Sequence, residues 1–442
     1  MEMPVVFTRY DVRGEYPSEL DEEFALKFGK AIGTFAKKKI VVGVDTRQCS
    51  RSLKSALVAG ILSTGIDVID VGLGPTDKIA LGGNHYSADL SVMITASHHD
   101  WTRNGFKLMY TKGNGFSNED MAIIKKLFMS SEFRVCAHKD VGVYTDKSVE
   151  SDNVYISKAI DVFKKYFDSI DATVVVDCCE GGASVTTPIL LEKLGAKVIR
   201  VNCNTIPTFS IHPEPDEDNR NHLIQILKDN KADLIVGHDP DADRIFAYDS
   251  EGNWISGDEI FCILAKIVGS KKIVASLDTS KMLEEVTGGD VKYTSVGDIF
   301  VSKRAIDVGA DFCGEPNGHY TIPDFCWYNS GTFCALLLAA KAKDIVAMRK
   351  SFPKYYILKD KMKFLNREDL EKKMEKIISM VRSDVGCSII SDADGVKFSV
   401  SDIVYFVRPS GTSPVIRVVV EGRDEKGTKE AFDSLVSRIE KL

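Results

Sequence analysis

Thr173-Val174-Val175-Val176-Asp177, then Gly181-Gly182, an apolar stretch to Leu194, and Gly195-Ala196-Lys197-Val198-Ile199 form one short pattern. A β-branched apolar run closed by an acid, a glycine turn, an apolar helical stretch and a second β-branched run read as strand, crossover and strand. That is the βαβ unit of an α/β domain. The order of strand, crossover and strand occurs twice more. Residues 40–44 lead into Asp45-Thr46-Arg47, a helical stretch to Ser63 and a strand over 65–69. Residues 272–277 lead into Asp278, a short helix to Val286 and Gly288-Gly289-Asp290-Val291. Three copies of one pattern predict three related α/β domains in series.

Outward from these copies, a helix is expected over 20–37 and a buried strand over 90–94. Beyond Pro353 the texture changes. Residues 359–382 form a charged amphipathic stretch with Leu370, Met374, Ile377 and Ile378 near helical spacing. Strands are expected over 396–400, 403–407 and 415–420, and a helix over 426–442. This reads as a small α+β domain of a different kind. Linkers are expected near 146–152, 249–257 and 351–354.

A chain of 442 residues exceeds what one core organises, so several domains are required. No apolar run approaches the ~20 residues of a membrane helix; the longest lies around 333–340. Met1-Glu2-Met3-Pro4 does not open a signal peptide, and no membrane association is expected. The ten cysteines show neither C-x-x-C nor zinc-type spacing, which fits reduced thiols in a cytoplasmic protein. A net charge of −7 argues against nucleic-acid binding, while leaving room for an anionic small molecule in a locally basic cleft.

Five stretches carry chemistry. Thr95-Ala96-Ser97-His98-His99-Asp100, with Asn104-Gly105-Phe106-Lys107 downstream, presents a serine at a strand end beside imidazoles and a lysine, a plausible carrier of a transferable group. His238-Asp239-Pro240-Asp241-Ala242-Asp243-Arg244 crowds hard oxygen ligands into one turn, which calls for a divalent cation, most simply Mg²⁺. Phe7-Thr8-Arg9-Tyr10-Asp11-Val12-Arg13-Gly14 offers guanidinium forks to phosphate oxygens, and reads equally as a loop with a structural ion pair. Gly314-Glu315-Pro316-Asn317-Gly318-His319 mixes groups suited to sugar hydroxyls, and reads equally as a plain turn. Arg408-Pro409-Ser410-Gly411-Thr412-Ser413-Pro414, with Arg417 beyond, forms a credible phosphate cradle.

In this order, these stretches resemble the α-D-phosphohexomutases, most closely the phosphomannomutase/phosphoglucomutase group. The resemblance spans Tyr10 to Arg417. It implies a heart-shaped, four-domain architecture: α/β domains over 1–148, 149–252 and 253–355, and an α+β domain over 356–442, carrying respectively the phosphoserine, metal, sugar and phosphate loops. It implies an isomerase that interconverts hexose 1-phosphate and hexose 6-phosphate (mannose, glucose or both) in carbohydrate metabolism, with a hexose 1,6-bisphosphate intermediate. Ser97 would be the phosphoserine, and Asp239, Asp241 and Asp243 would hold one Mg²⁺ together with its phosphate. Glu315 and Asn317 would grip sugar hydroxyls, and Arg408, Ser410, Gly411, Thr412 and Arg417 would anchor the phosphate not being transferred. Arg13, Lys107 and His319 would act as general acid/base groups, with His98 and Arg244 supporting the phosphoryl group. Phosphoglucosamine mutase and, more distantly, a metal-dependent phosphatase or a non-catalytic sugar-phosphate binder are the alternatives. His99, Asp100, Asn317 and Ser413 depart from the usual residues of the family, so the departures bear on the substrate more than on the reaction.

Overall fold

The computed structural model describes residues 6–8, 10–410 and 414–442. Four sheets organise them. The first sheet runs Val12–Glu15, Arg103–Tyr110, Leu90–Ile94, Lys39–Val44, Asp67–Leu73, Tyr144–Asp146 from edge to edge. The second runs Trp254–Ile255, Phe246–Tyr248, Leu234–Gly237, Thr173–Asp177, Lys197–Val201, and the third Asp290–Thr294, Lys272–Ser276, Phe312–Gly314, Tyr320–Thr321.

The three expected βαβ units appear as the parallel pairs of Lys39–Val44 with Asp67–Leu73, Thr173–Asp177 with Lys197–Val201, and Lys272–Ser276 with Asp290–Thr294. In each, the first strand also pairs in parallel with a later one: Leu90–Ile94, Leu234–Gly237 or Phe312–Gly314. That later strand then turns back antiparallel into its neighbour. The turn between the two carries, in succession, Ser97, the three aspartates, and Glu315 with His319. Three chemically different loops therefore occupy one topological position. They lie at the carboxyl ends of parallel strands, where α/β sheets place their ligands.

The fourth sheet is wholly antiparallel, in the order Tyr356–Lys363, Val415–Gly422, Ile403–Pro409, Val396–Val400, Ser388–Ser391. Helices Arg367–Ser383 and Glu425–Glu440 bury Leu370, Ile377, Leu435 and Ile439 against it, and it has a core of its own. By contrast, a single apolar core runs through all three α/β units, from Val41 through Val174 to Phe312. At its centre is helix Gly331–Ala340, buried over nearly its whole length. This is the longest apolar run noted in the sequence, and it is a core helix; among the described residues no helix is long and apolar enough to cross a membrane.

Two expectations need correction. The stretch 359–382 is not one amphipathic element. Its first part belongs to the edge strand Tyr356–Lys363, whose exposed lysines protect a sheet edge. Asn366 then caps the helix by accepting from Asp369 N at 2.9 Å. Likewise 146–152 is not irregular chain. Asp146 Oδ1 accepts from Ser148 N at 2.9 Å, and the helix Ser148–Phe163 begins there.

The α/β units also meet through a buried carboxyl. Asp77 Oδ2 accepts from Tyr155 OH at 2.7 Å and from Ser330 Oγ, while Oδ1 is buried without a partner. Burial outweighs these hydrogen bonds and pushes Asp77 up to about 7. The neutral acid is thus favoured in the folded chain. Its stabilisation is complete below the unfolded value of ~3.9 and is lost as pH rises through about 7. Asp77→Asn should therefore flatten the pH–stability profile between about pH 4 and 7, and gain roughly 2–4 kcal/mol over the parent at pH 8 in chemical denaturation. A parallel shift of both profiles would remove Asp77 as the cause.

Candidate active site

Ser97 lies one turn beyond strand Leu90–Ile94, in the left-handed backbone region with φ 54°. A side chain at such a backbone position must be held by its surroundings. Thr95 Oγ1 accepts the Ser97 N–H at 2.9 Å. Beneath the turn, Arg47 is 1% exposed and donates through Nη2 to Ser97 O at 2.8 Å and His99 O at 2.5 Å. Its Nη1 meets Thr95 Oγ1 at 3.3 Å and pairs with the Asp45 carboxylate. One planar fork thus fixes several points of the turn, which a lysine could not do.

Lys107 and Arg13 come from neighbouring antiparallel strands. Val12–Glu15 packs beside Arg103–Tyr110 with Arg13 opposite Gly105, where a Cβ would stand 2.1 Å from Val12 O. Only glycine admits that approach. Lys107, opposite Met93, reaches across the first sheet into the second unit. Its Nζ donates to Asp241 Oδ2 at 2.5 Å and Asp243 Oδ2 at 2.6 Å.

Asp239, Asp241 and Asp243 are essentially fully buried, with ligand-type atoms within 4.8 Å of one another. Ser97 Oγ donates to Asp239 Oδ2 at 3.2 Å, and Thr76 Oγ1 donates to Asp241 Oδ2 at 3.0 Å. Asp241 Oδ1 is buried with no partner. Burial, then the charges of Asp241 and Asp243, push Asp239 well above the usual carboxylate range. Asp243 behaves oppositely: burial would raise it, but Lys107 and His319 hold it well below. Lys107 is likewise driven up because the two aspartates outweigh its burial. Three carboxylates facing one ammonium, with an orphaned oxygen among them, fit a hard divalent cation such as Mg²⁺.

His319 Nε2 lies 3.2 Å from Asp243 Oδ1, and its Nδ1 lies 3.6 Å from Glu315 Oε2. Burial opposes its charge, but Asp243 prevails and pushes His319 up to about 10. His98 is the reverse. Its Nδ1 lies 3.3 Å from Ser97 Oγ, and burial followed by the repulsion of Arg244 drives it far below its ordinary value. His98 Nε2 meets Glu214 Oε2 at 3.2 Å, and the other oxygen of that carboxylate meets Arg244 Nη1 at 3.1 Å.

Ser97, Arg13, Lys107, Asp243, Arg244 and His319 line one cavity of about 110 Å³. Asn317, Arg408 and Arg417 line a second, of about 380 Å³, together with Lys359 and Lys361. Arg408 and Arg417 stand directly opposite each other on adjacent strands. Like charges so placed repel; burial and then Arg408 lower Arg417 below its ordinary value. Ser410 O accepts from Arg367 Nη1 at 2.5 Å, while Gly411 and Thr412 lie outside the described residues. Glu315 Oε1 accepts from Gly297 N at 2.7 Å, and Asn317 Oδ1 from His319 N at 3.2 Å, linking the two cavities through one turn.

Of the residues that depart from the family pattern, Ser413 lies outside the described residues, and the others are held by local hydrogen bonds. His99 Nδ1 lies 3.0 Å from Ala96 O and 3.4 Å from Arg13 Nη1, and Asp100 Oδ1 accepts from Thr102 N at 3.0 Å. Three contributors escaped the sequence reading: Arg47, Thr76 and Glu214. Arg47 had a signal, since it follows the strand-end acid Asp45 of the repeated pattern. Glu214 had none, because its place depends on how an irregular segment folds back.

Four consecutive family profiles match the chain: "Phosphoglucomutase/phosphomannomutase, alpha/beta/alpha domain I" over 4–135, domain II over 153–252, domain III over 256–356, and the C-terminal domain over 356–437. The chain belongs to the phosphoglucomutase/phosphomannomutase family of α-D-phosphohexomutases, which are mutase isomerases. It is 34% identical to a phosphoglucomutase/phosphomannomutase of Thermococcus kodakarensis, over 99% of each chain. It is also 34% identical to a probable phosphoglucosamine mutase of Thermococcus gammatolerans, over 98% of this chain and 96% of the other. A solved structure of a phosphoglucomutase/phosphomannomutase family protein from Burkholderia thailandensis superposes with TM-score 0.87 at 22% identity, covering 100% of this chain and 98% of that one.

Arg47→Lys should keep the buried charge but lose the fork. Turnover is expected to fall about 10- to 100-fold with KM changed little, because the loop's geometry and not substrate contact is disturbed. A rise in KM at unchanged kcat would contradict this role.

Proposed function

We propose that the protein interconverts hexose 1-phosphate and hexose 6-phosphate through a phosphoserine at Ser97, with mannose and glucose phosphates as substrates and a hexose 1,6-bisphosphate as intermediate and activator. The observation that carries this reading is the hydrogen bond from Ser97 Oγ to the buried aspartate cluster, beneath the cavity that Lys107, Arg13, Arg244 and His319 enclose. A mutase of this kind needs a fixed transfer centre and a separate anchor for the second phosphate. The Arg408/Arg417 cavity would supply the anchor, since a phosphate there meets two guanidinium groups on adjacent strands, with Arg408 Nη1 positioned by Asp394 Oδ2 at 2.9 Å.

Within the transfer centre, Arg244 and Arg13 bind and orient the phosphoryl oxygens, and His319 donates a hydrogen bond or a proton toward the sugar oxygen. Lys107 is the other candidate proton carrier, released from the aspartates as the cavity fills. Asp239, Asp241 and Asp243 would hold Mg²⁺, which when bound offsets negative charge on the group in transfer. Glu315 and Asn317 orient sugar hydroxyls between the two cavities.

Glucosamine phosphates are the second substrate class, favoured by the equal likeness to a relative named as a probable phosphoglucosamine mutase. Mannose, glucose and glucosamine 1-phosphates assayed side by side with the matching bisphosphates separate the two. The proposal expects mannose or glucose phosphate to give the highest kcat/KM. Preference for glucosamine phosphate would reassign the substrate, and release of inorganic phosphate without isomerisation would replace the mutase reading by a phosphatase. Arg408→Ala is expected to raise KM about 10- to 100-fold while sparing phosphorylation of Ser97 by bisphosphate more than it spares turnover.

A further inference from the structure

The mechanism above uses none of the ten cysteines, yet two of them meet. Cys178 follows strand Thr173–Asp177 and Cys203 follows its parallel neighbour Lys197–Val201. Their Sγ atoms stand 2.6 Å apart, both as free thiols. The backbone holds them in place: Asp177 pairs with Val201, and Cys178 N–H donates to Val201 O at 3.2 Å. Cys203 Sγ also lies 3.2 Å from Val201 O and 3.5 Å from Val176 O. The adjacent Cys179 points away, with its sulfur 3.7 Å from Pro213 O.

The two sulfurs differ in access. Cys178 is fully buried, whereas Cys203 is half-buried. Burial drives Cys178 far above the ordinary thiol value, while the hydrogen bond from Cys178 holds Cys203 below it. Cys203, the more open of the two, is therefore the thiol that an oxidant reaches first, and Cys178 the one that resolves it.

We propose that Cys178 and Cys203 form a reversible disulfide on exposure to a peroxide, a staple built under the active site. In the first step the Cys203 thiolate attacks a peroxide oxygen. The O–O bond breaks, the departing hydroxide takes up a proton to leave as water, and Cys203 becomes a sulfenic acid. In the second, the Cys178 sulfur attacks the Cys203 sulfur, the S–S bond forms, the S–O bond breaks, and a second water leaves with the Cys178 proton. Two thiols and one hydrogen peroxide give one disulfide and two waters, and a dithiol reductant reverses the change.

The staple joins the roots of two segments that serve the site. From Cys178 the chain enters the 179–182 turn, where Gly182 N donates to Pro240 O at 2.7 Å in the metal loop and Glu180 O accepts from Thr46 Oγ1 at 2.9 Å. From Cys203 it enters the segment that brings Glu214 to His98 and Arg244, and that segment is tied back by Ser210 Oγ donating to Glu180 at 2.5 Å. Because the sulfurs already face each other, the crosslink holds this arrangement without rearranging it. Turnover is kept, and the unit resists unfolding better.

The test is to treat the full-length protein with stoichiometric hydrogen peroxide, alkylate under denaturing conditions, and compare intact mass and non-reduced peptide maps with the reduced protein. The expected result is eight alkylated thiols in place of ten, a Cys178–Cys203 crosslinked peptide, activity within about twofold of the reduced form, and an unfolding midpoint raised on the order of 5 °C. A dithiol reductant should restore the starting values. Cys203→Ser, a partly solvated and conservative change, should retain basal activity and lose both crosslink and shift. Ten alkylatable thiols after treatment, a crosslink between other cysteines, a stable oxygen adduct on Cys203, or a disulfide that abolishes turnover would each overturn the proposal. The mass and peptide readouts do not depend on which sugar phosphate is used, so failure here is distinct from failure of the proposed function.

Discussion

Ser97→Ala is expected to lower turnover by ~10⁴-fold or more, with saturating bisphosphate present and the fold intact. The size of the effect follows from the role of the hydroxyl. On the proposed mechanism Arg13, Arg244, Lys107 and His319 would still bind and polarise a sugar phosphate, but with no covalent acceptor the phosphoryl group of the bisphosphate would have nowhere to go. The substitution removes the hydroxyl's hydrogen bonds with Asp239 Oδ2 and His98 Nδ1, both longer than 3 Å, and leaves Arg47 holding the backbone of the turn, because those bonds go to carbonyl oxygens. Stability should therefore change by less than about 1.5 kcal/mol, so that lost activity is not lost folding. Sugar phosphate should still protect the variant against thermal unfolding. A variant that retains a tenth of the parent turnover would dismiss Ser97 as the carrier.

Asp241→Asn should cost about 10³-fold in turnover and abolish the response to Mg²⁺. Asp241 is chosen because it has the buried oxygen without a partner and shares Lys107 with Asp243. Replacing it leaves Lys107 paired with Asp243 and takes one carboxylate out of a crowded buried cluster, so stability in the absence of divalent ions should stay within about 1 kcal/mol of the parent. The parent should gain stability with Mg²⁺, about 2.7 kcal/mol at one hundred times Kd, and the variant should gain little. Calorimetry with and without EDTA reads both. An unchanged Mg²⁺ response would move the cation elsewhere.

Much of this architecture is legible in the chain because it is local. The strand–acid–helix–glycine–strand pattern registers three βαβ units, and the crowding of carboxylates in the aspartate turn is plain from charge density alone. What is illegible depends on contacts between units. Nothing near Lys107 in sequence says that its ammonium will lie between Asp241 and Asp243 of another unit, and nothing near Glu214 points to His98. The strand Tyr356–Lys363 was hidden because its lysines give an edge strand the polar look of a solvated helix. Cys178 and Cys203 were hidden because they lie far apart in the chain, and only the register of two parallel strands turns the sulfurs together. The likeness to the family came from the order of its loops; the geometry explains that order, since three of them occupy the same turn of successive units.

The central claim is that the group in transfer rests on Ser97 above the aspartate cluster. The most direct measurement is to incubate the protein with hexose 1,6-bisphosphate labelled in its phosphates, then map the label by intact mass and peptide sequencing, with Mg²⁺ and with EDTA. The account predicts one labelled phosphate on Ser97, dependent on Mg²⁺ and discharged by hexose 1-phosphate as labelled bisphosphate. Label on another residue, or turnover with no label on the protein at all, would contradict it.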